Sequence, residues 1–266
     1  MDNVRIIADR DAVVAVVEQI SDELKEHLRA RLNEYCYGST QSREDSDFYS
    51  FANTVRQLLE RYDSKAKTTQ LGMAGELLIH LVLPLSNFEL TSGGIFFNKE
   101  EKHIKKGFDL TFLERHSPSV WYGEVKSGEI SIDTQTADSK AHELLLEAAR
   151  DLALKLKADS PRSRWESAII DAGLALASED ATSMKTLLRR DSSVLETEGQ
   201  FPANAVLAGV VFHDYIHCEV SGAALSATAQ SIARSGKFTK LRVLAAQQAV
   251  FDGIIAFLRD ELCADA

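Results

Sequence analysis

The chain is short of cysteine, of long apolar runs and of basic charge, and each shortage narrows what it can be. Three cysteines in 266 residues, Cys36, Cys218 and Cys263, share no metal-type spacing, and their odd number argues against a disulfide framework. No apolar run approaches the ~18 residues needed to cross a bilayer, so no membrane span is expected. The opening segment, MDNVRIIADRDAVVAVVEQISDELKE, has acids inside its apolar stretch and no small-residue cleavage site, so it does not read as a signal peptide. A reducing, cytoplasmic setting is the expectation. Lysine and arginine number 30 against 40 acidic residues, a formal charge of −10. That balance counts against a sequence-independent DNA coat, which draws its affinity from broad Lys/Arg surfaces. It leaves room for an enzyme that meets nucleic acid through one small basic patch or through a partner protein. Phosphate loops are missing too: LGMAGE and TSGGIFF carry glycine without the lysine and hydroxyl that such loops need. There is no G-x-S-x-G elbow and no HExxH.

What remains is ordinary globular material, 45% hydrophobic, in a length that buries a proper core. Apolar spacing predicts an amphipathic helix over 11–35 (Val13, Val14, Val17, Ile20, Leu24, Leu28, Leu32), a second over 47–62, and a third in KTTQLGMAGELLIHLVL before Pro84. The period then changes. GGIFFNKE, KKGFDLTFLE and SVWYGEVKS are short β-branched or aromatic runs with turn signals between them, an expected antiparallel meander. Helix is expected at 133–157 and on to about 190, then a loop DSSVLETEGQFPAN. AVLAGVVFH reads as a strand covered on both faces. SATAQSIARSGK as helix, FTKLRVLAA as a last strand and QAVFDGIIAFLRDEL as a closing helix complete an α/β chain with a mixed sheet flanked by helices. The expected division is an N-terminal helical extension, residues 1–64, packed on a core of residues 65–266.

The chemistry is concentrated in GFDLTFLERHSPSVWYGEVKSG, residues 107–128. Side chains two apart on a strand share a face, so Glu124 and Lys126 point the same way. If the strands pair around a turn at 114–118, Asp109 comes close to Glu124. Two adjacent carboxylates repel and raise one pKa, a penalty that a divalent cation removes, and oxygen ligands of this kind suit Mg²⁺, with Mn²⁺ as an alternative. Lys126 could then orient an attacking water and stabilise charge building on a phosphoryl group. Acid-x-lysine is itself common, occurring five times in the chain, as Glu23–Lys25, Asp63–Lys65, Glu100–Lys102, Glu124–Lys126 and Asp138–Lys140. Only the fourth ends an apolar strand just downstream of another acid-bearing strand. By pattern, a buried structural ion pair and a metal-dependent site both stay open. Glu76, an acid on a mostly apolar helix face beside Met73, Ile79 and His80, reads as pointing inward.

A helical glutamate, then GFD on a strand, then EVK on the next strand, followed by a helix and a buried strand, resembles the PD-(D/E)xK, or restriction-endonuclease-like, nuclease core. More narrowly, GMAGELL, KKGFDLTF and WYGEVKSG resemble the HamA family, nuclease-like effector subunits of Hachiman anti-phage defence, over residues 68–220. The proline that names the broader superfamily is replaced by Phe108. The resemblance implies Asp109, Glu124 and the Val125 carbonyl as metal ligands. It implies Lys126 as the water-positioning residue, and Glu76 as an assistant through a water or a second metal. It further implies Mg²⁺-dependent hydrolysis of DNA in a complex with a helicase partner, HamB in that family. The alternatives are a catalytically inactive module of the same fold that binds a partner or DNA, and an unrelated α/β interaction protein.

Other polar positions carry less. Gln135 and Lys140 fall where related nucleases place a helper residue, but also where an amphipathic helix is simply exposed. Lys99, Lys102, Lys105 and Lys106 precede Asp109, either as phosphate contacts or as a solvated turn. His213, His217 and Cys218 lack the further ligands that a zinc site needs.

Overall fold

The computed structural model describes residues 4–9, 11–97, 107–130, 135–157, 162–213, 218–248 and 253–264. In chain order these form β1 (Val4–Asp9), β2 (Ala12–Val17), α1 (Asp22–Tyr37), α2 (Ser39–Glu44), α3 (Phe51–Asp63) and α4 (Lys67–Val82). A 3-10 turn at Leu83–Leu85 leads to β3 (Leu90–Ser92), β4 (Leu110–Glu114), β5 (Ser119–Glu129) and α5 (Ala137–Lys155). Then come α6 (Ser163–Ala175), α7 (Ser178–Glu198), β6 (Asn204–Phe212), α8 (Gly222–Arg234), β7 (Lys240–Gln248) and α9 (Gly253–Ala264).

Seven strands make one mixed sheet in the order β1-β2-β7-β6-β5-β4-β3. The middle four, β2, β7, β6 and β5, run parallel, and antiparallel hairpins close both ends. Every residue of β2 and of β6 is buried, as continuous apolar runs demand when helices cover both faces. Along β5 the side chains alternate between two cores. Trp121 joins Leu28, Leu58, Leu78 and Ile255 under α1, α3, α4 and α9, whereas Tyr122 joins Leu145, Trp165, Leu188 and Leu225 under α5 to α8.

The expected mixed sheet is present, with the antiparallel pairing of the second and third expected meander strands, and four sequence expectations need correction. Residues 12–17 are strand, not the first turns of a helix. In AVVAVV every position is apolar, so helical spacing is satisfied by accident, while six consecutive partners on each of β7 and β1 satisfy the backbone as sheet. Helix α1 begins only after Ser21, whose hydroxyl accepts from the Leu24 N–H at 3.2 Å. The segment 1–64 therefore contributes strands to the sheet as well as helices beside it. Residues 93–97 do not form a strand either: Phe96 and Phe97 donate their N–H groups to the carbonyls of Tyr35 and Cys36, beyond the end of β3. Residues 191–198, read as loop, extend α7 because Leu188 and Leu195 continue its buried stripe; the stop is Gly199, at φ 75°. Gln248, the expected start of the closing helix, is the last residue of β7, and the described helix runs Gly253–Ala264.

Candidate active site

β4 and β5 pair in register Leu110↔Gly123 through Glu114↔Ser119. Gly123 matters to this pairing: a Cβ there would lie 2.6 Å from Leu110 Cβ. One step beyond the last pair, Asp109 stands opposite Glu124. The Asp109 carboxylate takes over the edge that β4 vacates, its Oδ2 accepting from the Val125 N–H at 3.0 Å. In an extended strand the N–H and C=O of one residue point to the same side, so the Val125 carbonyl faces the same edge.

Helix α5 runs back along β5, antiparallel to it, on the Glu124 and Lys126 face. Lys155 Nζ lies between the two carboxylates, 2.9 Å from Asp109 Oδ1 and 2.5 Å from Glu124 Oε2. Lys126 Nζ is 3.4 Å from Glu124 Oε1, 2.7 Å from Asp151 Oδ2 and 3.7 Å from Glu147 Oε1. Farther along, Lys140 packs over Gly128. The result is a ladder of alternating sign, Asp109, Lys155, Glu124, Lys126, Asp151. It is bounded by Arg164 of α6, which donates to the Lys155 carbonyl at 2.8 Å and lies 6.0 Å from the Phe108 ring centroid.

Glu124 is 2% exposed, and its pKa is pushed up from 4.5 to about 7. Burial is the main cause and the Asp109 charge adds to it; Lys155 and Lys126 pull the other way without prevailing. Lys126 moves up: its own burial opposes the charge, but hydrogen bonding to Asp151 and the nearby Glu124 outweigh it. Asp151 moves down, because the hydrogen bonds and charges of Lys126 and Arg150 overcome its burial.

The structure thus brings Asp109, Glu124, Val125 and Lys126 together. Glu76 lies on α4, which packs on the other face of β5. Gly75 packs against β5 with room for no Cβ, which would lie 1.9 Å from Ser127 Oγ, so α4 crosses the face opposite Glu124. Among the described residues no three His, Cys, Asp or Glu side chains form a group able to hold a metal ion. The carboxylate pair still suits a divalent cation in one concrete respect, that a cationic group already stands between its facing oxygens, and the donors are hard oxygens of the kind Mg²⁺ takes. Gln135 and Lys140 both reach Glu143 rather than the carboxylates. Lys99, Lys102, Lys105, Lys106 and His217 lie outside the described residues. His213 and Cys218 join through Gln247, whose Nε2 contacts His213 Nε2 and donates to the Cys218 carbonyl. Lys155, Asp151 and Glu147 escaped the sequence reading. Their signal was the i, i+4, i+8 spacing on α5, which marks one helix face.

No curated protein sequence matches the chain. A model of the HamA family matches residues 6–240, beyond the 68–220 suggested by the motifs, and this span holds every residue of the charge ladder. Among the described residues no helix is long and apolar enough to cross a membrane. The chain belongs to the HamA family of Hachiman anti-phage defence proteins.

Proposed function

We propose that the chain is the metal-dependent DNA nuclease of its defence complex, with a PD-(D/E)xK-type site and a helicase partner. One observation carries this reading: Asp109 and Glu124, from adjacent strands, turn one oxygen each toward a shared cation position, with Lys126 on the same face. A Mg²⁺ ion bound there would polarise the scissile phosphate and acidify a water molecule. The residues of the chain do the rest. Val125 N–H fixes the rotation of Asp109, and the Val125 carbonyl offers a third oxygen. Asp151 keeps Lys126 protonated and aimed into the site, where its ammonium orients the attacking water and offsets charge growing on the phosphoryl oxygens. Glu76 would assist through a water or a second metal. The formal charge of −10 makes unaided DNA binding weak, so the helicase partner would deliver the strand.

The test is plasmid degradation by the purified complex with Mg²⁺. Asp109→Asn and Lys126→Ala should each lower the rate by about a thousandfold, the scale of losing one preorganised electrostatic group, and EDTA should abolish it. Equal degradation by the wild type and Lys126→Ala would end this reading. The closed ladder of opposite charges also fits a second reading, a catalytically silent module that uses those charges structurally while binding a partner or DNA. A silent module would show no stabilisation by Mg²⁺ or Mn²⁺, whereas a metal site gains stability through binding to the native state.

A further inference from the structure

Each carboxylate of the pair has two oxygens, and their partners divide cleanly. Asp109 Oδ2 is taken by the Val125 N–H and Glu124 Oε1 faces Lys126. The remaining two, Asp109 Oδ1 and Glu124 Oε2, are the ones that face each other, and both are held by Lys155 Nζ. Any ion bridging the pair must therefore use the atoms that Lys155 already uses. An ammonium and a divalent cation cannot share that point, because they repel strongly in a half-buried site of low effective dielectric.

We propose that Lys155 is a tethered counter-ion of the carboxylate pair, which excludes divalent metal until its side chain withdraws. The inference rests on the metal-dependent reading above and concerns its regulation. The position of Lys155 in the fold suits such a part. It is the last residue of α5, and the backbone leaves helical geometry at Leu156 (φ −99°, ψ 18°). The neighbouring Leu152 is fully buried, so the body of the helix stays anchored while its final residue turns away. The Lys155 carbonyl is held from α6 by Arg164 at 2.8 Å, which makes the last turn of α5 and the start of α6 one latch. A purely structural lysine would behave differently: its removal would leave two repelling buried carboxylates and nothing gained.

Mn²⁺ binding to the isolated full-length chain, followed by the electron paramagnetic resonance signal of free Mn²⁺ at constant pH, separates these cases. Lys155→Met and Lys155→Gln should bind Mn²⁺ about ten-fold or more tightly than the wild type, since an ion pair with two charge-assisted hydrogen bonds no longer competes. Lys157→Met, an exposed charge removed two residues away, should match the wild type. Adding Asp109→Asn to Lys155→Met should erase the gain. Circular dichroism establishes that each variant is folded, and the Gln variant serves where Met is not. Unchanged or weaker Mn²⁺ binding in both Lys155 variants overturns the proposal. Absence of Mn²⁺ binding in every variant overturns it together with the metal site. Tighter binding without DNA cleavage by the complex upholds it while the nuclease reading fails.

Discussion

Glu124 offers the sharpest test of how the site is balanced. Its carboxyl, 2% exposed and opposite Asp109, has a pKa raised from 4.5 to about 7. Between those values the folded chain keeps a proton that the unfolded chain releases, so stability falls as pH rises through this window. The contribution is fully present below about 4.5 and gone above about 7. At about 1.4 kcal/mol per pH unit the whole interval amounts to about 3 kcal/mol. For a chain of this size that corresponds to a change in Tm of about 6 °C. Many other groups titrate between pH 5 and 8, so the quantity to follow is the difference between the wild type and Glu124→Gln, which keeps the shape and removes the proton. Thermal unfolding in EDTA, recorded by circular dichroism across that range, should show the wild type losing about 6 °C relative to Glu124→Gln. A wild type that keeps level with Glu124→Gln across the range, or gains on it as pH rises, would mean that Lys155 and Lys126 govern the carboxyl, and that burial and Asp109 do not.

Two further outcomes test the frame around the site. Gly75→Ala forces α4 away from β5, because the new Cβ would lie 1.9 Å from Ser127 Oγ and 3.3 Å from Val210 Cβ; a loss of about 1–3 kcal/mol in urea unfolding is expected, and an unchanged midpoint would contradict the close packing. Deleting residues 1–17 strips β7 of its parallel neighbour and opens both cores, so the fragment should lose cooperative thermal unfolding; a soluble fragment that unfolds cooperatively would make those strands dispensable.

Local pattern revealed most of the fold where one face of an element was polar. Helices α3, α4, α5 and α8 and strands β4, β5, β6 and β7 all arise where periodicity or a bounded apolar run predicts them. It misled at residues 12–17. In AVVAVV the spacing of Val13 and Val17 fits a helix, yet the β-branched content and the six-residue length fit a buried parallel strand equally well, and only the distant β7 decides between them. The error at 191–198 has a different origin. Asp191 and Ser192 look like loop residues, but both are buried, and Asp191 accepts a hydrogen bond from Tyr122 OH at 2.8 Å. A polar residue satisfied inside the core is invisible to hydropathy.

The carboxylate pair was legible because antiparallel pairing is arithmetic. A turn at 114–118 fixes the register, and the register sets Asp109 against Glu124. The lysine between them was not, since it belongs to a helix whose facing is set by packing. The crossover between the parallel strands β5 and β6 makes α5 run backwards over β5. Read in that direction, Lys155 meets the acid at 124, and Asp151 with Glu147 meets the base at 126. Opposite signs match rung by rung, which no single strand or helix discloses. Around Glu124 the ladder sets Asp109 and Asp151 against Lys155 and Lys126, with Arg164 beyond its Asp109 end. Burial, with the Asp109 charge added, favours a proton on Glu124, and its pKa rises to about 7. A raised pH takes that proton away. On the metal-dependent reading proposed above, a divalent ion in the place of Lys155 would bring two positive charges where one stood. The proton on Glu124 and the ammonium of Lys155 are therefore two parts of one compensation, and on that reading a metal ion would have to displace both.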